Sequence, residues 1–378
     1  MPAITFPLSA GLARTARNCI ESVRRTFPAH LPLYVCAVLF NAASFGIILF
    51  WRLPLQADVS TAFLAKIPPA MAIGLVLLIA WQALSLTWRR EKQPLSSALR
   101  WVRDCLLKDD RPGNMFHAIV TLTPLMISFD AVKEVIPHIQ PFAWDSRLMA
   151  WDRFLGFGRL PWQWLQLLLG HPPVTVALSV SYELWFVVMF GCLFWQAFSS
   201  RNSEIRLQFL LAFAFCWFFA GNLLALAFSS AGPCYYGHLY PGHDPYAAQM
   251  DYLRETAKHW PVWSVHLEDM LWDSYRKGGG VISGISAMPS MHVTIAVLMA
   301  LLGWRIDRKL GLALTVFAGL IVFGAIHLAW HYAVDVIAGT ALAFAFWAAA
   351  GLIVRRMLPA LRDEMPGEDP ATAPRAAW

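Results

Sequence analysis

Charge is what this sequence has least of. Asp, Glu, Lys and Arg make up 14% of its 378 residues, against 58% hydrophobic, where a soluble domain carries about a quarter charged residues. A chain of this length could hold two soluble domains, but neither would have enough polar surface to cover itself. The apolar residues come in long blocks, so the solvent they imply is lipid. Metal-type and redox-type cysteine patterns are missing too. The six cysteines (Cys19, Cys36, Cys105, Cys192, Cys216 and Cys234) include no CxxC pair. Only Cys234 falls in a segment expected outside the cytoplasm, which argues against a structural disulfide. No apolar run precedes Leu31, so no cleavable signal peptide is expected and the first membrane helix serves as an uncleaved anchor. The net charge of +6 does not indicate a nucleic-acid partner. Its basic residues sit in short clusters between apolar blocks, which is how membrane topology is encoded.

Eight spans are expected, at about 31–51, 69–88, 115–136, 174–198, 207–230, 289–304, 310–329 and 332–354. Most approach the ~20 residues that cross ~30 Å of hydrocarbon; the sixth is short and the third is polar at its far end. The fold class is therefore all-α, a polytopic membrane helix bundle with about eight transmembrane helices and interfacial helices on its outer face. With both termini cytoplasmic, twenty of the 30 Lys and Arg fall on inside segments, which supports that orientation. The chain then divides into a cytoplasmic N-terminal segment over 1–30, N-terminal transmembrane helices over 31–136, an interfacial outer segment over 137–173, a C-terminal membrane domain over 174–358 and a disordered cytoplasmic tail over 359–378. Short outer residues 52–68 link the first two spans. An outer loop, 231–288, holds two amphipathic stretches, 247–259 and 263–276, followed by the flexible run Gly278, Gly279, Gly280. The chain is expected to be an integral membrane protein, with the bacterial plasma membrane as its expected location.

Two segments carry chemistry, and the topology puts both at the outer, periplasmic face. One is GISAMPSMH at 284–292, opening span six; the other is HLAWHYAVD at 327–335, joining spans seven and eight. His331 and Asp335 are four apart and share a face if helical. The carboxylate can then hold one imidazole nitrogen and leave the other free as nucleophile or base. The plain alternative is a helix-start Asp beside an interfacial His. Pro289 and Ser290 suit a helix start, with Ser290 or Ser286 near the cap. The N–H groups of such a turn form an anion site, with His292 inside it.

The segments 286–292 (SAMPSMH) and 331–339 (HYAVDVIAG) resemble the type-2 phosphatidic acid phosphatase superfamily. They look most like its branch of inositol-phosphorylceramide-synthase-like inositolphosphotransferases. The resemblance covers mainly 286–339, with Gly232 and Pro233 as an upstream element. It implies a membrane enzyme, using neither metal nor other cofactor, that moves a phosphoryl or phospho-headgroup from a membrane phospholipid donor to a lipid alcohol or to water. His331 would attack phosphorus, Asp335 would orient it, and His292 would shuttle the proton. Ser290 and the neighbouring amides would hold the phosphoryl oxygens, with Ser286 and Pro289 in the same substrate-binding turn. The phosphatase branch has a Ser-Arg pair ahead of the second His, where this chain has Gly324 and Ala325, and no basic residue stands close before Gly232. That departure tilts the expectation from hydrolysis toward transfer.

Lys133, beside Asp130 and Glu134, is one source of positive charge for the phosphate, or else a snorkelling residue paired with those acids. Glu183, inside span four, is protonated or paired. His327 packs or makes a polar bond. Tyr235, Tyr236, Arg276 and Lys277 could meet headgroups. Two rival functions remain open. A phosphatase acting on phosphatidic acid or a polyprenyl diphosphate uses the same residues. A transporter has Glu183, Asp130 and Lys133 in its favour but no inverted repeat. A metal site at His292, His331 and Asp335 suits the Ser-containing helix start less well than phosphate does.

Overall fold

The structure, a computed structural model, describes residues 8–52, 76, 79–200, 203–242, 244–277 and 284–363. Nearly all of the expected first outer segment, nearly half of the second span, the triple-glycine run and the tail beyond residue 363 lie outside the described residues. Among the described residues there are helices and turns but no strand. The principal helices are α1 (Leu8–Phe50), α2 (Pro94–Leu107), α3 (Arg111–Ile139), α4 (Asp145–Leu155), α5 (Pro161–Leu169) and α6 (Pro172–Phe198). They continue with α7 (Ser203–Ala227), α8 (Ala247–His259), α9 (Trp263–Arg276), α10 (Met291–Ile306), α11 (Arg308–His327) and α12 (Ala333–Asp363).

Six of these, α1, α3, α6, α7, α11 and α12, are long and apolar enough to cross a membrane. α10 has 16 residues, about 24 Å of helix, and is the short span expected at 289–304. The chain is thus an all-α polytopic membrane bundle. α1 begins well before the expected start at 31 and takes Arg14, Arg17, Arg24 and Arg25 into its first turns. Arg disrupts hydropathy but is a good helix former, and Arg25 pairs with Asp110 at the start of α3. At the other end α12 continues to Asp363. Residues 359–363 therefore extend the last membrane helix and do not begin a disordered tail; Ala360, Leu361 and Arg362 favour helix.

Local chemistry sets the helix starts. Pro stands in the first turn of α2, α3, α5 and α6, where its missing N–H is no loss. Asp307 caps α11, accepting from the Lys309 and Leu310 amides at 2.8 and 3.1 Å. α7 is apolar around its whole circumference, and so it is buried. The bundle covers 78% of its most apolar stretch, against 28–39% for the other five spans, which face lipid. Within α7, Cys216–Leu224 is π-helical, a local irregularity that tends to occur at functional sites.

The interfacial helices expected over 137–173 are α4 and α5. The amphipathic stretches expected at 247–259 and 263–276 are α8 and α9. All four lie at the end of the bundle where α3, α7 and α11 finish and α6, α10 and α12 begin. There α10 and α12 pack backbone to backbone. A Cβ at Gly339 would sit 2.7 Å from the Ser290 carbonyl oxygen and 2.8 Å from Thr294 Oγ1. Gly339→Ala should therefore destabilise the bundle by about 1–3 kcal/mol through overpacking. Gly319→Ala, where a Cβ meets nothing within 4 Å, should leave it unchanged or slightly more stable; thermal unfolding of the two variants in detergent checks the contrast.

Candidate active site

The turn before α10 ends in a cis Met288–Pro289 peptide, and Ser290 is the N-cap. Its hydroxyl accepts from the Val293 amide at 3.4 Å, and its carbonyl accepts from the Thr294 amide at 3.0 Å. Ser290 is fully buried, so its hydroxyl serves the helix start. The Met291 and His292 amides of this turn have no hydrogen-bond partner among the described residues. The His292 ring stacks on Tyr182 with centroids 4.2 Å apart and lies tilted against Trp185 at 4.3 Å, while the Trp185 indole N–H donates to the His292 carbonyl at 2.9 Å.

His331 is not on a helix. It lies in the turn between α11 and α12, and its amide donates to the Ala325 carbonyl at 2.9 Å. Asp335 is in the first turn of α12, and its carboxylate Oδ2 accepts from the Tyr332 amide at 3.0 Å. This acid, reaching back from the first turn to the residue before the helix, is the reciprocal half of a capping box. It brings Oδ2 within 3.5 Å of His331 Nδ1. That is an electrostatic contact longer than a hydrogen bond, and it leaves Nδ1 and Asp335 Oδ1 as buried atoms without hydrogen-bond partners. Proximity therefore comes from the turn, and not from a shared helical face as the four-residue spacing suggested. The two chemical segments are joined directly, because the Ser290 amide donates to the Asp335 carbonyl at 3.3 Å.

A cavity of about 390 Å³ lies against these residues. His292, His331, Ser286, Pro289, Lys133 and Glu183 all line it; Ser290 and Asp335 stand behind the wall. Lys133 is the only Lys or Arg in that lining. Its ammonium lies 5.6 Å from the Phe129 ring centroid, and among the described residues Asp130 does not come within ion-pair distance of it. Tyr235, Leu267 and Leu271 from the outer loop, with Tyr182, Phe186 and Trp330, supply aromatic and apolar walls. His327 lies outside this lining and bonds Thr175 Oγ1 through Nε2 at 2.9 Å. Tyr236 packs in a separate cluster with Leu148 and Tyr332, and Arg276 and Lys277 are exposed at the end of α9. Among the described residues no group of three His, Cys, Asp or Glu side chains is spaced to hold a metal ion.

Sequence reasoning missed Asp145 and Asp152. Asp145 accepts from the Ala231 and Gly232 amides and from the Tyr332 hydroxyl, the last at 2.8 Å. Gly232 needs its positive φ of 109° here, and a Cβ on it would lie 2.7 Å from the Trp330 carbonyl. Asp152 accepts from the Ala333 and Val334 amides at 2.9 and 3.0 Å. Burial pushes the Asp152 carboxyl up to about 7, against the opposing pull of those two N–H groups. One signal was present: residues 145, 148 and 152 follow helical spacing, with Leu148 between the acids, so the acids share the face of a core residue.

A family model described as PAP2 superfamily matches residues 146–349, more than half of the chain. No match was found among curated proteins or among solved structures.

Burial is the main influence on His331, pushing its pKa down to about 3; nearby Lys133 adds to this and a backbone contact at Ala287 opposes it. A lowered pKa keeps the imidazole neutral where an ordinary one, at about 6.5, gains a proton. The imidazole 15N signals of His331, assigned with His331→Gln, should stay those of a neutral ring from pH 7 to pH 5.

Proposed function

Because the chain belongs to the PAP2 superfamily, we propose that it is a membrane enzyme that transfers a phosphoryl or phospho-headgroup between lipid substrates, with His331 as the covalent acceptor. The carrying observation is that two histidines from separate elements, His292 and His331, line one cavity with Lys133. The buried carboxylate of Asp335 faces Nδ1 of His331.

Nδ1 faces Asp335, so Nε2 carries the attacking lone pair. Nε2 bonds to phosphorus as the bond from phosphorus to the leaving oxygen breaks, and protonated His292 gives that oxygen its proton. Asp335 offsets the positive charge on the phosphorylated ring. An acceptor O–H then loses its proton to His292 and its oxygen attacks phosphorus. The P–N bond breaks, and both histidines return to their starting states. Lys133, Ser286 and the free amides of the α10 turn hold the non-bridging oxygens, with Pro289 shaping that turn. Phosphoryl transfer needs little beyond such positioning and charge stabilisation, and no step in this scheme requires a metal.

Transfer is favoured over hydrolysis by the walls of the cavity. Leu267, Leu271, Tyr235 and Trp330 make a water-poor setting that suits a lipid alcohol better than bulk water. The phosphatase alternative differs only in its acceptor. The helix order and the distribution of basic residues support a reading in which both termini are cytoplasmic and the cavity opens on the periplasmic side of a bacterial plasma membrane.

Purified protein incubated with total membrane lipid should generate a new phosphodiester detectable by mass spectrometry; inorganic phosphate as the product would mean a phosphatase. His331→Ala should abolish turnover while remaining folded in detergent, and normal activity in that variant would end the phosphohistidine scheme. Chelators should leave the rate unchanged. In a background without native cysteines, Asp273→Cys should react with an impermeant reagent from the periplasmic side; labelling only after the membrane is opened would reverse the orientation.

A further inference from the structure

The chemistry just described uses neither Asp145 nor Asp152, yet both are withdrawn from water and aimed at the segment that performs it. On α4 they share a face with Leu148, and the three are 0%, 2% and 0% exposed respectively. The opposite face shows Trp151 at 46% and Phe154 at 83%. A surface helix ordinarily turns its carboxylates to water and its apolar side inward. α4 turns its acids inside and leaves Trp151 and Phe154, together with Arg147 and Arg153, exposed, a mixture that suits the membrane interface.

Burying two carboxylates is costly unless hydrogen bonds satisfy them, so what they bond shows what they are for. Asp152 takes the Ala333 and Val334 amides, two of the N–H groups that a helix start leaves unpaired, at the end where the helix dipole favours an anion. Asp145 takes the Tyr332 hydroxyl and the two amides of the Ala231–Gly232 turn. Tyr332 is held a second time, its own amide donating to Asp335. Three consecutive residues, 332 to 334, are therefore gripped by α4, and His331 and Asp335 are the residues that flank them.

We propose that Asp152 and Asp145 are positioning residues, which hold the His331–Asp335 turn in register from an interfacial helix outside the bundle. The inference rests on His331 being the phosphoryl acceptor. Without Asp152 the first turn of α12 loses the partners of two amides, and the 3.5 Å separation between His331 and Asp335 is no longer set from outside. Asp145 acts through the Tyr332 hydroxyl and also ties the Gly232 turn to the same helix.

The test uses the full chain in lipid nanodiscs with two probes, orthovanadate and inorganic phosphate. Vanadate imitates the five-coordinate transition state and is sensitive to register; phosphate reports ground-state anion binding. Asp152→Ala should weaken vanadate binding by about 10- to 100-fold, the scale of a misplaced reacting group, and phosphate binding by less than about threefold. Asp152→Asn, which retains one acceptor oxygen, should fall between Asp152→Ala and the unaltered protein. Tyr332→Phe, which removes only the hydroxyl held by Asp145, should show a smaller loss of the same kind. The His331 15N signals, reporting one tautomer in the unaltered protein, should become those of a mixture in Asp152→Ala.

Unchanged vanadate affinity in a folded Asp152→Ala protein, or equal weakening of both probes, overturns the proposal. If Asp152→Ala does not fold, Tyr332→Phe is judged by the same two criteria. If the unaltered protein binds no vanadate, the phosphohistidine scheme itself fails, and the 15N signals alone decide the positioning role: unchanged signals in Asp152→Ala overturn it, and a mixture of tautomers supports it.

Discussion

The rest of the candidate site depends on one buried residue, Asp335. Its main-chain carbonyl accepts from the Ser290 amide, its carboxylate accepts from the Tyr332 amide, and the same carboxylate faces His331. Through these contacts the start of α10, the α11–α12 turn and the start of α12 are held as one unit. The arrangement requires α10 and α12 to approach at backbone distance, which Gly339 allows one turn further along. A side chain at 339 would separate the helices, and the two histidines would lose their common cavity.

The cavity wall gives that unit its electrostatic strength. Tyr182, Trp185 and Phe186 surround the His292 ring, while α9 contributes Leu267 and Leu271 from the outer loop. With water thinned out, the field of a single lysine or carboxylate is much less screened than it would be at an open surface. Under the proposed function, this is how a cavity with one Lys or Arg in its lining, Lys133, would serve an anionic substrate. The acids of α4 extend the same logic outward: low dielectric makes their hydrogen bonds to amides strong and makes their loss costly.

Much of the fold was legible because hydropathy is a local property. The third to eighth spans were all recognisable as blocks, and the amphipathic stretches 247–259 and 263–276 became α8 and α9 at the expected boundaries. The misjudged places share a cause. The start of α1 carries arginines that lower hydropathy without lowering helix propensity, and residues 360–363 follow Pro359 yet continue α12. In both, the membrane pattern ends before the helix does.

By itself the sequence determined the solvent, the helical class and the residue types available for phosphate chemistry, with both chemical segments on one face. It could do so because burial in lipid, charge placement and short motifs are written along one dimension. Tertiary structure alone decided which of those residues meet. It put Lys133, Ser286 and Glu183 into the cavity with His292 and His331, and placed Ser290 behind the wall as a helix cap. It also turned Asp145 and Asp152 inward, where composition would have left them at the surface. The physical reason is that a side chain's direction and its backbone partners depend on neighbours far away in the chain, such as the Ala333 and Val334 amides that Asp152 meets across 181 and 182 residues.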